Sequence, residues 1–266
     1  MKSTGWFLTG ALAAACGVAA GEGFGEKPNT PQLPGVPYVV HDGTRPQPPV
    51  VTPAAAVLQK APSDAKILFD GTNADAWLNG DKPAAWKIQN GSLVGGPPGN
   101  LRTKDSFGAV QLHLEWRIPA GRKVEGQGGG NSGVFLMGLY EIQILQSNGN
   151  KTYPDGQATA FYGQLPPLAN ATLPQGEWQS YDIAFEPPVY TDGKVTRPAK
   201  ATVMHNGIIT QNGESFIGPT QYRKLAAYPD KHPATGPVEL QFHGDPVEFR
   251  NIWIRPLGAR DAGAKP

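Results

Sequence analysis

The chain has one cysteine in 266 residues. That excludes an intramolecular disulfide, so a secreted form would rest on its hydrophobic core alone. An excess of charge of either sign is missing too. Lys and Arg number 23 against 22 Asp and Glu, a formal charge of +1, and no basic run occurs. This leaves no case for a nucleic-acid partner. No stretch carries the 3.6-residue apolar period of an ordinary amphipathic helix, and no internal repeat is visible. Neither an H-E-x-x-H pattern nor paired cysteines are present to identify a metal.

What the chain has in quantity is glycine and proline, 34 and 27 residues, the mark of a turn-rich chain. Between those turns lie short alternating segments. From Ala109 to Ile118, Val110, Leu112, Leu114, Trp116 and Ile118 make one face, and Gln111, His113, Glu115 and Arg117 make the other. Ser180–Glu186, Lys200–His205, Ile208–Gln211, Val238–Phe242 and Glu248–Arg255 are further candidate strands. Asn206-Gly207 is a hairpin turn signal. Many short strands in one span predict an all-β, two-sheet sandwich or jelly roll over 61–257. A small polar tail follows at 258–266.

Residues 1–20 read as a signal peptide. Lys2 supplies positive charge, and Trp6 to Val18 is an apolar run too short to span a bilayer. Two processing routes stay open. Val18-Ala19-Ala20 suits ordinary cleavage. Leu12-Ala13-Ala14-Ala15-Cys16 resembles a lipoprotein box ending at Ala15, which would lipidate Cys16 and tether the protein to a membrane. Either way an exported protein is expected: periplasmic, at the cell surface or secreted. Residues 21–60 have the composition of a Pro/Gly-rich linker. Within them Val36-Pro37-Tyr38-Val39-Val40 is an apolar patch before the turn His41-Asp42-Gly43. It offers a second reading, a segment lying along the domain surface.

The run Gly130-Asn131-Ser132-Gly133-Val134-Phe135-Leu136-Met137 and then Tyr140-Glu141-Ile142-Gln143-Ile144-Leu145 reads as two strands with a tight connection. The two glycines let the backbone pass close to something, with Asn131 held between them. Alternation puts Glu141 and Gln143 on one face and Ile142 and Ile144 on the other. That face is either the floor of a polar-ligand cleft or an ordinary solvated surface.

The chain resembles the 3-keto-disaccharide hydrolase domain family. The likeness runs through Ile67-Leu68-Phe69-Asp70-Gly71-Thr72 with Trp77, Trp86 to Leu93, Leu101 to Lys104, the Asn-Ser-Gly and Tyr-Glu-Ile-Gln segments, Tyr162-Gly163, Gly176-Glu177-Trp178, His205-Asn206-Gly207 and His243 to Trp253. It implies a concanavalin A-like lectin/glucanase fold and substrates in which one sugar carries a ketone at C3. Such a ketone acidifies the C2 proton. A base removes it, the enolate expels the group at C1, and water adds. The alternatives are a non-catalytic, lectin-like carbohydrate-binding domain and a structural envelope domain. One departure is Gln146, where the family often has Asp.

Glu141 is the candidate base and His243 the candidate imidazole, both catalytic. Asn131, Gln143, Arg250 and Tyr162 are candidates for substrate binding. No cofactor is demanded. A divalent metal would draw on Glu141, His243 and Asp245, with Gln143 beside them. The Glu-x-Gln-x-Leu strand lacks the second carboxylate of an oxocarbenium glycosidase. Arg250 has an alternative, a surface pair with Glu248 or Asp245. His205 is expected to be exposed, and His113 to lie on a solvated face. Trp86, Trp178 and Trp253 are expected to fill the sandwich.

Overall fold

The computed structural model describes residues 23–54 and 59–258. The expected signal peptide, Cys16 and all but the first residue of the expected tail lie outside the described residues.

In chain order the first strands are β1 (Lys66–Phe69), β2 (Trp77–Asn79), β3 (Lys82–Pro83), β4 (Lys87–Gln89), β5 (Ser92–Val94) and β6 (Leu101–Thr103). Then come β7 (Val110–Arg117), β8 (Ser132–Leu136), β9 (Tyr140–Ile144), β10 (Gln179–Glu186), β11 (Val189–Thr191) and β12 (Lys194–Arg197). The last are β13 (Lys200–His205), β14 (Ile208–Ser215), β15 (Glu239–Leu240) and β16 (Glu248–Pro256). Two single-turn 3-10 segments, Gly126–Gly128 and Pro154–Gly156, are the only helix among the described residues.

The strands form two antiparallel sheets. The eight-stranded sheet runs β14-β13-β10-β7-β16-β5-β4, with β1 also on β16; the six-stranded sheet runs β3-β2-β6-β15-β8-β9. Strands β11 and β12 form a separate ribbon. This is the expected all-β sandwich. The inner face of β7 is the one read from the sequence: Val110, Leu112, Leu114, Trp116 and Ile118 are all buried. Opposite them the six-stranded sheet contributes Trp77, Leu101, Val134, Tyr140, Ile142 and Ile144 to the same core. The β13–β14 hairpin turns at Asn206 and Gly207, both at positive φ (52° and 79°), as a two-residue turn matched to strand twist requires.

Several expectations are corrected. The strand expected at Val238–Phe242 is shorter, Glu239–Leu240, with backbone bonds at its ends from Thr103 N to Val238 O (2.9 Å) and from Gln241 N to Gly133 O (3.0 Å), and it stops where the Phe242 amide goes to Asn100 Oδ1 at 2.9 Å. The outer face of β7 is not solvated. There His113 is buried between Asp182, 2.8 Å from Nδ1, and the ring of Trp253. His205 is not exposed either. It lies on the inner face of β13, against Trp116 and Tyr181, because alternation from Ala201 and Val203 carries it inward. Trp86 joins the core, but Trp178 lies outside it under the guanidinium groups of Arg250 and Arg117.

Of the described part of the expected linker, 23–54 and 59–60, the first stretch is packed on the sandwich. Leu33, Val40, His41 and Asp42 are buried. Gln32 bridges to Val39, and Val50 runs parallel to Asn170, whose amide bonds Pro49 O at 2.9 Å. The apolar Val-Pro-Tyr-Val-Val patch supplies surface worth burying, so the segment does not behave as its proline content alone suggests.

Candidate functional site

The site is built on the outer face of the six-stranded sheet. Directly paired residues of neighbouring strands point to the same side. The register pairs Glu141 with Phe135, Phe135 with Glu239, Glu239 with Arg102, and Arg102 with Leu78. These side chains therefore form one row across the face. Beyond β9 the row continues. Residues 159–162 add to its free edge, with Thr159 N on Gln143 O (2.9 Å), Gln143 N on Ala160 O (3.0 Å) and a bridge between Ile142 and Phe161. That places Tyr162 beside Glu141.

Glu141 is buried to within a few per cent of its surface. Burial away from water pushes its carboxyl up to about 8. Its side chain lies across Gly133 of β8: a Cβ there would collide with Oε1 and fall 2.9 Å from Cγ. The close approach anticipated for Gly133 is thus to Glu141. Gly130 is needed for a different reason, since a Cβ there would lie 2.6 Å from Ile118 Cγ1.

The Gln143 amide sits between Asn131 and Glu141, 3.2 Å from each. With its nitrogen turned to Glu141 it also donates to Ser132 O at 3.1 Å. The direction follows protonation: a carboxylate accepts from the amide nitrogen, whereas a carboxylic acid donates to the amide oxygen. Asn131 donates to Gln127 O at 3.1 Å through its side chain and to Asp245 Oδ2 at 3.1 Å through its backbone.

Tyr162 donates or accepts at 2.8 Å with the hydroxyl of Tyr153. Its phenol is held well above the usual range, first by burial and further by the charge of Glu141, with the Tyr153 bond acting against them. At the other end of the row, Arg102 and Glu239 line an open depression of about 490 Å³ with Asn79, Gly80, Pro98, Gly99 and Asn100. Burial also raises the Glu239 carboxyl, against the opposing influence of Asn100 and Arg102.

The structure thus brings together Glu141, Gln143, Asn131 and Tyr162. It does not bring Arg250 to them. Arg250 pairs with Glu115 on the outer face of the other sheet, its Nε 2.6 Å from Oε2, and stacks on Trp178. The surface partners Glu248 and Asp245 are taken instead by Arg117 and Arg122. His243 is exposed on the loop after β15 and makes no hydrogen bond or ion pair with another described residue. Asp245 is committed to Asn131 and Arg122. Among the described residues no three His, Cys, Asp or Glu side chains are gathered to hold a metal. Among the described residues, the set Glu141, His243 and Asp245 is therefore not gathered into one ligand cluster. Gln146 is structural, its amide donating to Leu173 O at 2.9 Å.

Glu239 was not among the expected site residues, although its alternation with Gln241 along a candidate strand was a signal for it.

Comparison with known proteins adds the chemistry that relatives carry. The model of the 3-keto-α-glucoside-1,2-lyase-like domain matches residues 64–255. A 3-keto-disaccharide hydrolase of Bacteroides thetaiotaomicron is 23% identical over 244 residues, 71% of this chain and 77% of that protein. A solved structure from Parabacteroides distasonis, named provisionally as a glycosyl hydrolase, is 40% identical with a TM-score of 0.73, covering 80% of this chain and 93% of that one. A second solved chain of that description and organism is 25% identical with a TM-score of 0.53, covering 73% and 99%.

Proposed function

The chain belongs to the 3-keto-α-glucoside-1,2-lyase-like family, and we propose that it cleaves the glycosidic bond of 3-keto-glycosides by C2 deprotonation, elimination and hydration. The observation that carries this reading is Glu141, a buried carboxyl on the outer face of the six-stranded sheet, in a row with Glu239 and with its own proton affinity raised to about 8. A base of that strength is matched to a carbon acid next to a ketone and is far stronger than an exposed carboxylate. The Gln143 and Asn131 amides beside it hold and orient the Glu141 carboxyl.

Glu239 is a second carboxyl on the same face, two strands away. Two strand spacings of ~4.8 Å put the backbones of the pair ~10 Å apart. The second reading is direct hydrolysis by this pair of carboxyls flanking the glycosidic bond.

One experiment separates the two. The protein is incubated with a 3-keto-glucoside and, in parallel, with its unoxidised parent, and products are followed by mass spectrometry. Cleavage of the ketosugar alone is expected, since the parent has no acidic C2 proton. Equal cleavage of both would overturn elimination in favour of the Glu141–Glu239 pair. We further propose export, with Cys16 as the lipid anchor. Release from membranes by Cys16→Ser is the expected result, and a soluble native protein starting near Gly21 would refute the anchor.

A further inference from the structure

His41 is fully buried, yet neither ring nitrogen has a hydrogen-bond partner. Its backbone adopts a left-handed φ of 60°. Both features disfavour histidine where packing alone is needed, since an unpartnered buried polar group and a strained backbone each carry a cost. Its position is nonetheless firmly held. Asp155 accepts from the His41 amide at 2.9 Å through Oδ2, and its Oδ1, itself without a partner, lies 3.6 Å from Nδ1. Asp155 belongs to the turn Pro154–Gly156, where a Cβ on Gly156 would collide with the Tyr153 ring.

The His41 ring packs on three phenol rings, with centroids 4.3 Å from Tyr153, 4.8 Å from Tyr162 and 5.8 Å from Tyr222. Tyr153 and Tyr162 share a 2.8 Å hydrogen bond, and Tyr162 is the partly exposed one of the two, next to Glu141. Of Tyr162, Tyr153, His41 and Asp155, Tyr162 is thus the one that reaches the surface, with the other three buried behind it.

We propose that Tyr162 is the acid that protonates the departing oxygen at C1, and that His41, carried in by the N-terminal segment and pinned by Asp155, is its positioning residue. This rests on the elimination reading above. Glu141 takes the C2 proton. The C1–O bond breaks with its electron pair on oxygen, and that oxygen takes the Tyr162 proton. In the hydration step water gives a proton to the Tyr162 phenolate as its oxygen bonds C1, and Glu141 returns its proton to C2. The sum is addition of one water. Tyr153 donates to the transient phenolate. His41 fixes both rings in place.

The test varies the leaving group. Methyl and p-nitrophenyl 3-keto-glucosides, each anomer, are assayed with the wild type and with Tyr162→Phe, His41→Gln and Asp155→Asn. p-Nitrophenolate departs without a proton, whereas methoxide does not. For the methyl substrate kcat is expected to fall by roughly 10²-fold or more in Tyr162→Phe and by about tenfold in the other two, with little change in KM. For the p-nitrophenyl substrate, first-turnover release of p-nitrophenolate, which precedes hydration and needs no acid, is expected to stay within about threefold of wild type in all three variants. Equal losses on both substrates mean a structural role and overturn the proposal, as do His41 and Asp155 variants indistinguishable from wild type. If His41→Gln does not fold, Asp155→Asn and Tyr162→Phe carry the same comparison. A wild type inert on both ketosugars overturns the elimination reading together with this proposal, whereas an active wild type with equal losses overturns this proposal alone.

Discussion

The Glu141 side chain lies across Gly133 on the neighbouring strand, in the space that any larger residue would fill. The glycine is what lets a carboxyl lie flat on the sheet beside Gln143. Its φ is ordinary, so the requirement is space and not backbone freedom.

Gly133→Ala is therefore expected to displace Glu141 and not to disturb the fold. A displacement of about 1 Å at a reacting group costs on the order of 10² in rate. The expected outcome is a loss of that size in kcat with a melting temperature within a few degrees of wild type. An active Gly133→Ala protein would mean that Glu141 need not lie where it does.

Glu141→Gln removes the base at nearly constant shape. Turnover is expected to fall by roughly 10²–10⁴-fold. Stability moves the other way. The folded carboxyl, at about 8, lies above its unfolded value of 4.5. The unfolded state ionises first, so the wild type loses stability as pH rises from about 4.5 to about 8. Urea unfolding is expected to show the variant about as stable as wild type near pH 4.5 and more stable by up to a few kcal/mol near pH 8. In the wild type, kcat is expected to rise with pH and level off above about 8. A flat profile would remove Glu141 from the role of base.

His205 acts in the acid range. Burial lowers its folded value to about 3, well below the 6.5 of an unfolded histidine. It stays neutral in the fold while the unfolded chain takes up a proton. Its contribution is complete above about 6.5 and is lost as pH falls toward 3. His205→Gln is expected to unfold with a shallower dependence on pH between 6 and 4 than wild type, measured by thermal melts. An unchanged slope would show that His205 charges without penalty.

Arg250→Ala tests the correction of a site residue. The buried Glu115 would lose its 2.6 Å partner and keep Asn251, 2.8 Å from Oε1. A loss of about 1.5–3 kcal/mol of stability is expected. Because Arg250 lies on the other sheet, kcat and KM should stay within about twofold of wild type. A large rise in KM without loss of stability would put Arg250 back at the substrate.

Alternation along single strands was readable from the sequence. The inner face of β7, the shared face of Glu141 and Gln143, and the Asn206-Gly207 turn all follow from a two-residue period or from turn chemistry, which involve only residues near in the chain. What faces what was decided by the tertiary structure. Glu239 joins Glu141 only because β15 inserts beside β8, and His41 meets Asp155 across 114 positions of sequence. Arg250 is parted from the site because β16 belongs to the other sheet. A strand's period fixes which side a residue faces but carries no record of which strand will lie next to it. That choice is made when the two sheets close on a common core, and the candidate site is assembled from it.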